Sequence, residues 1–150
     1  SVSAFLLNRS SDLAIFKITP TFSDGVTEEY VFTDKTITAL SKTELEIEPS
    51  YSFGKWRVWL SARYFSKQYI NKTNSLYFNG RWETFGGVDY KLSRHVSFYA
   101  NVVNILNQKG ASGTIPAADL ITDPTPYKDY VMSGTFIRPF TFEFTTKLSF

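Results

Sequence analysis

Three carboxylates stand at alternate positions in one short run: Glu44, Glu46 and Glu48. Alternate residues on a strand share a face and lie ~6.5–7 Å apart. That spacing is compatible with an inverting glycosidase, where one carboxyl group protonates the leaving oxygen and the other activates water. A solvated face explains the row better, with Arg57 and Arg63 of the next run able to match it. His95 is the only histidine. It follows a tight turn beside Arg94, which suits a rim residue rather than a general base. Ser10, Ser11 and Asp12 have no base near them in the sequence. Asn8-Arg9-Ser10 and Asn71-Lys72-Thr73 fit the glycosylation sequon, a short motif that recurs by chance. The chain has no cysteine, which removes thiol catalysis, disulfide scaffolds and cysteine-held zinc. No cluster of metal-ligand type is present, so no enzyme, metal or cofactor is expected.

The elements that would carry these residues alternate with a period of two. In the last eleven residues, FTFEFTTKLSF, Phe140, Phe142, Phe144, Leu148 and Phe150 fall on one face. Thr141, Glu143, Thr145, Lys147 and Ser149 fall on the other. The same pattern sets Leu45, Ile47, Tyr51 and Phe53 against the glutamates. It sets Trp56, Val58, Leu60, Ala62 and Tyr64 against Lys55, Arg57, Ser61, Arg63 and Lys67, with Trp59 and Phe65 as exceptions. Val88, Tyr90 and Leu92 oppose Asp89 and Lys91; Val96, Phe98, Ala100 and Val102 oppose His95, Ser97, Tyr99 and Asn101. None of these runs fits the helical period.

Run length says which face is wet. Soluble strands average ~5–6 residues, whereas Lys55 to Tyr69 spans 15 residues and Gly134 to Phe150 spans 17. A tilted strand needs ~9–11 residues to cross a bilayer. Aromatic residues make up 17% of the chain, with 14 Phe, 9 Tyr and 3 Trp. Many stand near run ends, as Tyr51, Phe53, Trp56, Tyr64, Tyr69, Trp82 and Phe150 do, where rings suit the girdles of a membrane barrel. The expected fold is therefore all-β, an antiparallel transmembrane β-barrel segment of about six strands. Leu45, Ile47, Val58, Leu60, Val88, Tyr90, Phe98, Phe142 and Phe144 are expected to face lipid. Glu44, Glu46, Arg57, Arg63, Asp89, Lys91, Asn101, Glu143 and Lys147 are expected to face the lumen. The alternative is a soluble or surface β-sandwich binding module, carbohydrate-binding given its aromatics. A net charge of +2 and no basic run with interleaved aromatics give no nucleic-acid partner. Mean hydropathy is −0.17, and no stretch approaches the ~20 apolar residues of a helical span.

Six strands are read along the chain: Val2 to Arg9, reaching toward Ile18; Ser41 to Phe53; Lys55 to Tyr69; Leu76 to Leu92; His95 to Leu106; and Gly134 to Phe150. Tyr30 to Phe32 reads as a short extension, and Gly86-Gly87 as a bulge or bend. Connections alternate between long or open loops and tight turns at Gly54-Lys55 and Ser93-Arg94. Barrels keep short turns in the periplasm and long loops outside, which puts the C-terminus on the periplasmic side. Eight strands is about the smallest barrel that closes, so six imply a piece of a larger barrel or one of several chains. Starting at Ser1 fits a mature, trimmed or partial product.

Asn101 to Ile121, NVVNILNQKGASGTIPAADLI, resembles the penultimate strand and last outer loop of TonB-dependent outer-membrane receptors. Gly134 to Phe150, GTFIRPFTFEFTTKLSF, resembles their closing strand, with its Arg-Pro-Phe start and terminal phenylalanine. Lys42 to Tyr64, KTELEIEPSYSFGKWRVWLSARY, resembles the strand, turn and strand before it. The style is closest to receptors of Bacteroidota, which include the SusC-like glycan importers. The resemblance implies the last six strands of a 22-stranded barrel, 17 to 22, whose plug domain and earlier strands are absent here. It implies import of a nutrient (glycan, peptide or metal chelate) across the outer membrane. Implied partners are outer-membrane lipid, the rest of the barrel and its plug, TonB acting through the plug, and a SusD-like surface lipoprotein. Phe150 resembles the barrel-assembly signal.

The loop from Asn107 to Tyr130 is the candidate contact region. Loops beyond ~12–15 residues are usually functional or disordered. Its tail gathers Asp119, Asp123, Tyr127, Lys128, Asp129 and Tyr130, and Pro124 and Pro126 stiffen the path. Aromatic and carboxylate groups together suit a sugar, a peptide or a lipoprotein lid.

Overall fold

The computed structural model describes residues 1–8, 12–18, 25, 27, 29–113, 115, 118–128 and 134–150, with side chains of 12–18, 30 and 31 left aside. One six-stranded antiparallel sheet organises it, in the order β1-β4-β5-β8-β9-β12. Its strands are β1 Val2–Asn8, β4 Thr43–Phe53, β5 Trp56–Phe65, β8 Arg81–Lys91, β9 Val96–Val103 and β12 Thr141–Leu148. Three two-stranded ribbons accompany it. They pair β2 Asp12–Ile18 with β3 Tyr30–Thr36, β6 Gln68–Tyr69 with β7 Tyr77–Phe78, and β10 Ala111–Ser112 with β11 Thr135–Phe136. Six strands of alternating sequence were expected, and six form the sheet. The long runs break near one end into main strands and ribbons.

The register explains the faces. Val58 stands opposite Tyr51 on β4 and Val88 on β8. Val88 stands opposite Ala100, and Ala100 opposite Phe144. Leu6, Leu45, Tyr64 and Trp82 form a second such row. Facing residues point to the same side, so the lipid-assigned residues share one face and the lumen-assigned residues the other. Phe142 and Phe144 are about 60% exposed (61% and 63%), and Leu60 is 53% exposed. A soluble sandwich would bury these rings beneath a second sheet, but among the described residues the main contacts of each strand of the sheet are with its sheet neighbours.

Two aromatic pairs bound the apolar band. Trp56 and Tyr90 have ring centroids 4.3 Å apart at the tight-turn end. Tyr64 and Trp82 lie 5.1 Å apart at the other end. Eight residues separate the pairs along each strand, or roughly 27 Å of strand. At a tilt of about 40° the height is roughly 20 Å, near the ~25 Å apolar band of a membrane barrel.

Gly86 and Gly87 are not a bulge. Pairing with β5 and β9 passes through both without an inserted residue. They are thin points. A Cβ on Gly86 would lie 2.8 Å from Leu60 Cδ2 and 3.0 Å from Ile105 Cδ1 on the apolar face. A Cβ on Gly87 would lie 2.5 Å from Asn101 Oδ1 and 2.7 Å from Trp59 Nε1 on the polar face. This accounts for Trp59, an aromatic on a charged face: its indole covers backbone that Gly87 leaves bare. Gly87→Ala should cost about 1–3 kcal/mol through overpacking. Adding Asn101→Ala should return part of that loss, measured as thermal loss of the folded barrel in a double-mutant cycle. Equal costs in both backgrounds would sink this account.

Candidate functional site

The polar face is a field of paired charges. Arg63 Nε donates to Glu46 Oε1 at 2.8 Å, and Ser61 Oγ reaches the same oxygen at 3.5 Å. Arg57 approaches Asp89 at 3.7 Å, on the strand opposite the glutamates. Arg81 Nε holds Glu83 at 2.9 Å, and Arg138 holds Glu143 at 2.5 Å. Glu46 is thus engaged as an ion-pair partner. Arg63 also lies 5.4 Å over the Phe85 ring, and Arg81 lies 4.5 Å over Phe65. These stacks explain the aromatic exception at Phe65. A concavity of about 500 Å³ opens on this face, lined by Glu48, Arg57, Trp59, Arg63, Tyr99 and Asn101. His95 is exposed at the tight-turn rim, where its Nδ1 lies 2.9 Å from Ser149 O and Arg94 Nε donates to its Nε2. It fastens the end of the last strand to the neighbouring turn. Among the described residues no three His, Cys, Asp or Glu side chains gather to hold a metal. Ser10 and Ser11 lie outside the described residues.

Among the described residues the most deeply buried side chain, that of Asn71, lies at the opposite end. It is fully buried. Nδ2 donates to Thr73 Oγ1, Ser75 Oγ, Ala118 O and Ile121 O, and Oδ1 accepts from Leu76 N at 3.1 Å. With that amide buried and bonded, the sequon at Asn71 is closed to modification. Lys72 Nζ pairs with Asp119 Oδ2 at 3.0 Å, and Ile115 N donates to Ile70 O. Asn74 bonds Thr36 through both its amide atoms. So three connections, around residues 36, 71 and 118, are tied into one knot, with Ile70 and Ala118 among its buried residues. A segment made of Asn, Thr and Ser in succession is rich in side chains that bond nearby backbone. That signal was available in the sequence, although the segment reads only as a polar loop.

Asn104 and Asn107 form a second clasp. Both have positive φ, 54° and 46°, a conformation Asn tolerates better than most residues. Asn104 Nδ2 donates to Gln108 O at 2.8 Å and to Arg138 O at 2.9 Å. Asn107 Oδ1 accepts from Phe140 N at 3.2 Å. The two asparagines therefore hold the start of β12 against the end of β9. The residues between them turn outward, and Ile105 reaches the dimple over Gly86.

The candidate loop residues separate by environment. Asp119 is half-buried in its pair with Lys72. Asp123 is exposed and accepts from Thr125 N at 2.9 Å, just ahead of the 3₁₀ turn Thr125–Tyr127. Tyr127 and Lys128 are exposed beside it. Asp129 and Tyr130 lie outside the described residues. Phe150 is fully exposed at the opposite end.

Neither a protein-family profile nor a curated relative matches the chain. Solved structures do. One is the FpvAI–pyocin S2 complex, at 17% identity and a TM-score of 0.58, over 81% of this chain and 16% of that one. Another is the ferric-catecholate import receptor Fiu from K12 E. coli in its closed form, at 16% identity and a TM-score of 0.58, over 91% of this chain and 19% of that one. Both are TonB-dependent receptor barrels. The fold is that of a strip of β-barrel wall, as in these structures. This chain spans less than a fifth of the length of either structure.

Within that wall the Asn71 knot and the Asn104 clasp govern loop position. Asn71→Ala would leave the Leu76 N–H without its partner and take one donor each from the Ala118 and Ile121 carbonyls, which keep Ile121 N and the Thr73 and Ser75 hydroxyls, costing about 1–3 kcal/mol locally. Limited proteolysis between residues 107 and 134 should speed up, while thermal unfolding of the barrel barely moves. A large fall in barrel stability with no gain in cleavage would place the knot in the wall instead. Asp123 is a further handle. Hydrogen bonds from the Thr125 hydroxyl and amide hold its pKa below the ordinary carboxylate value. The turn's carboxylate contribution is therefore present above that ordinary value and lost as pH falls through the lowered one. Acid-accelerated cleavage near Thr125 should be blunted in Asp123→Asn, which stays neutral throughout.

Proposed function

We propose that this chain is wall in a TonB-dependent outer-membrane transporter, contributing the last six strands, 17 to 22, of a 22-stranded barrel. One observation carries the reading: a single sheet with an exposed apolar face bounded by the Trp56–Tyr90 and Tyr64–Trp82 pairs, and a charged opposite face. The likeness to receptor barrels supports it. The tight turns at Gly54 and Ser93 and the end at Phe150 stand in the periplasm, and the loop from Asn107 stands outside. Phe150 serves as the signal for barrel assembly.

The whole protein imports a nutrient through a plug that TonB pulls. Fiu is a ferric-catecholate importer, which favours a metal chelate; the sequence resemblance to SusC-like receptors favours a glycan or peptide, with a SusD-like lipoprotein on the outer loops. Asp123, Tyr127 and Lys128 are the described loop side chains placed to meet either. Their joint replacement by alanine leaves the Asn71 knot intact, so a contact role should appear as reduced uptake or lost lipoprotein co-purification with the barrel assembled. Unchanged uptake and co-purification would make the loop a structural cover.

The wall reading has its own test. Phe144→Arg puts a cation against hydrocarbon and should cost about 2–4 kcal/mol, whereas Thr145→Arg on the lumen face should change little. Folding into lipid vesicles, read by heat-modifiable migration, compares them. Equal loss from both would count against the membrane assignment.

A further inference from the structure

The tight-turn end carries a row of lysines on the polar face. Lys91 N donates to Lys55 O at 2.8 Å, Lys91 stands opposite Ser97, and Ser97 stands opposite Lys147. All three lysines are exposed. A groove of about 290 Å³ lies here, lined by Ser52, Lys55, Arg57, Lys91, Ser97 and Tyr99, with Trp56 and Tyr90 also in its wall and Lys147 next to it, opposite Ser97. Asp89 is the one carboxylate in its wall, and Arg57 already approaches it at 3.7 Å. Lys55 Nζ donates to Leu92 O at 2.8 Å. Among the described residues neither Lys91 nor Lys147 has a carboxylate partner.

Lys55 and Lys91 face each other across β5 and β8, where like charges repel, so an anion seated between them is favoured. The chemistry of the groove fits carboxylates. Ammonium and guanidinium groups supply charge, and the Ser52, Ser97 and Tyr99 hydroxyls supply hydrogen bonds. Register decides the direction of approach. Lys91 and Lys147 alternate with Tyr90 and Leu148, so they point away from the face that carries Trp56, Tyr90 and Phe98. Lipid headgroups meet that aromatic face, and by register the lysines lie on the other, with Trp56 and Tyr90 bordering both at the rim. The occupant therefore comes from inside the ring or from the space below it.

Resting on the wall reading above, we propose that this groove docks an acidic peptide segment at the tight-turn mouth of the barrel. The probe is fluorescein-labelled hexaglutamate, with hexalysine as control, followed by anisotropy on the full-length protein in detergent micelles. Hexaglutamate should bind at low salt and weaken at least tenfold when salt screens the pairs. Lys55→Gln/Lys91→Gln/Lys147→Gln should weaken it by about tenfold, and Lys42→Gln at the other end should not. The triple variant should fold at least as well, because it removes repulsion. Unchanged hexaglutamate affinity in the triple variant would overturn the proposal. So would unchanged peptide binding with loss of co-purified phosphatidylglycerol, which would make the groove a headgroup site. Failure to insert into vesicles would overturn the wall reading, whereas an inserted barrel that ignores hexaglutamate overturns the docking alone.

Discussion

Backbone pairing between strands is the constraint on which everything else rests. Along β5 and β8 one register runs from Trp56↔Tyr90 to Phe65↔Arg81, and β6 and β7 resume it at Gln68↔Phe78 after a short gap. On the other side, pairing of β4 with β5 skips Glu48 and Pro49 and picks up unchanged at Ser50↔Trp59. Proline has no N–H to give, yet the ladder absorbs it. A slip of one residue would turn every side chain to the opposite face. The register, more than any single contact, therefore makes one side apolar and the other charged. It also leaves β1 and β12 each with one unpaired edge. In hydrocarbon such edges are untenable, which is why the wall reading needs further strands on both sides.

Side-chain packing divides the molecule. Across the sheet, both faces stay open within this chain, and cohesion comes from the ladder and from neighbours along it. At the loop end, cohesion comes from polar side chains bonded to backbone. Asn71 joins its own turn to the loop at Ala118 and Ile121, Asn74 adds Thr36 at the end of β3, and Asn104 joins the ends of two strands. Short amides suit this role because they reach carbonyls and N–H groups that irregular backbone leaves unpaired. The result is a firm rim on a wall that awaits its surroundings.

Strand number and facing were readable because period two is a local property, and each of the lipid-assigned residues keeps its side. Trp59 and Phe65 broke the pattern for reasons that are not local. One covers Gly87 on the next strand, and the other stacks with Arg81 across the sheet. Gly86-Gly87 suggested a bulge, since a glycine pair in a strand relaxes local constraints equally well for a bulge and for close approach; only the neighbours decide. Arg57 could be matched with the glutamates or with Asp89, and choosing between flanking strands required the ladder. The loop residues were found as a group, but their division into Asp119 in an ion pair and Asp123 bonded to the backbone two residues on depended on Lys72 and Thr125.

Each strand of the sheet pairs with the strands that come next before and after it in the sheet's chain order. Such a meander has no crossing connection and no strand that must wait for a distant partner. Its unit is the hairpin; closure is short at the Gly54 and Ser93 turns and longer between Asn8 and Thr43 and between Val103 and Thr141, where its cost grows only slowly with length. Hairpins can therefore be laid down one after another, each templated by the edge left by the last. The same arithmetic applies on an evolutionary scale. Gaining or losing one hairpin changes the circumference of the ring and leaves its wiring untouched, so pore width is a quantity that such walls can vary two strands at a time.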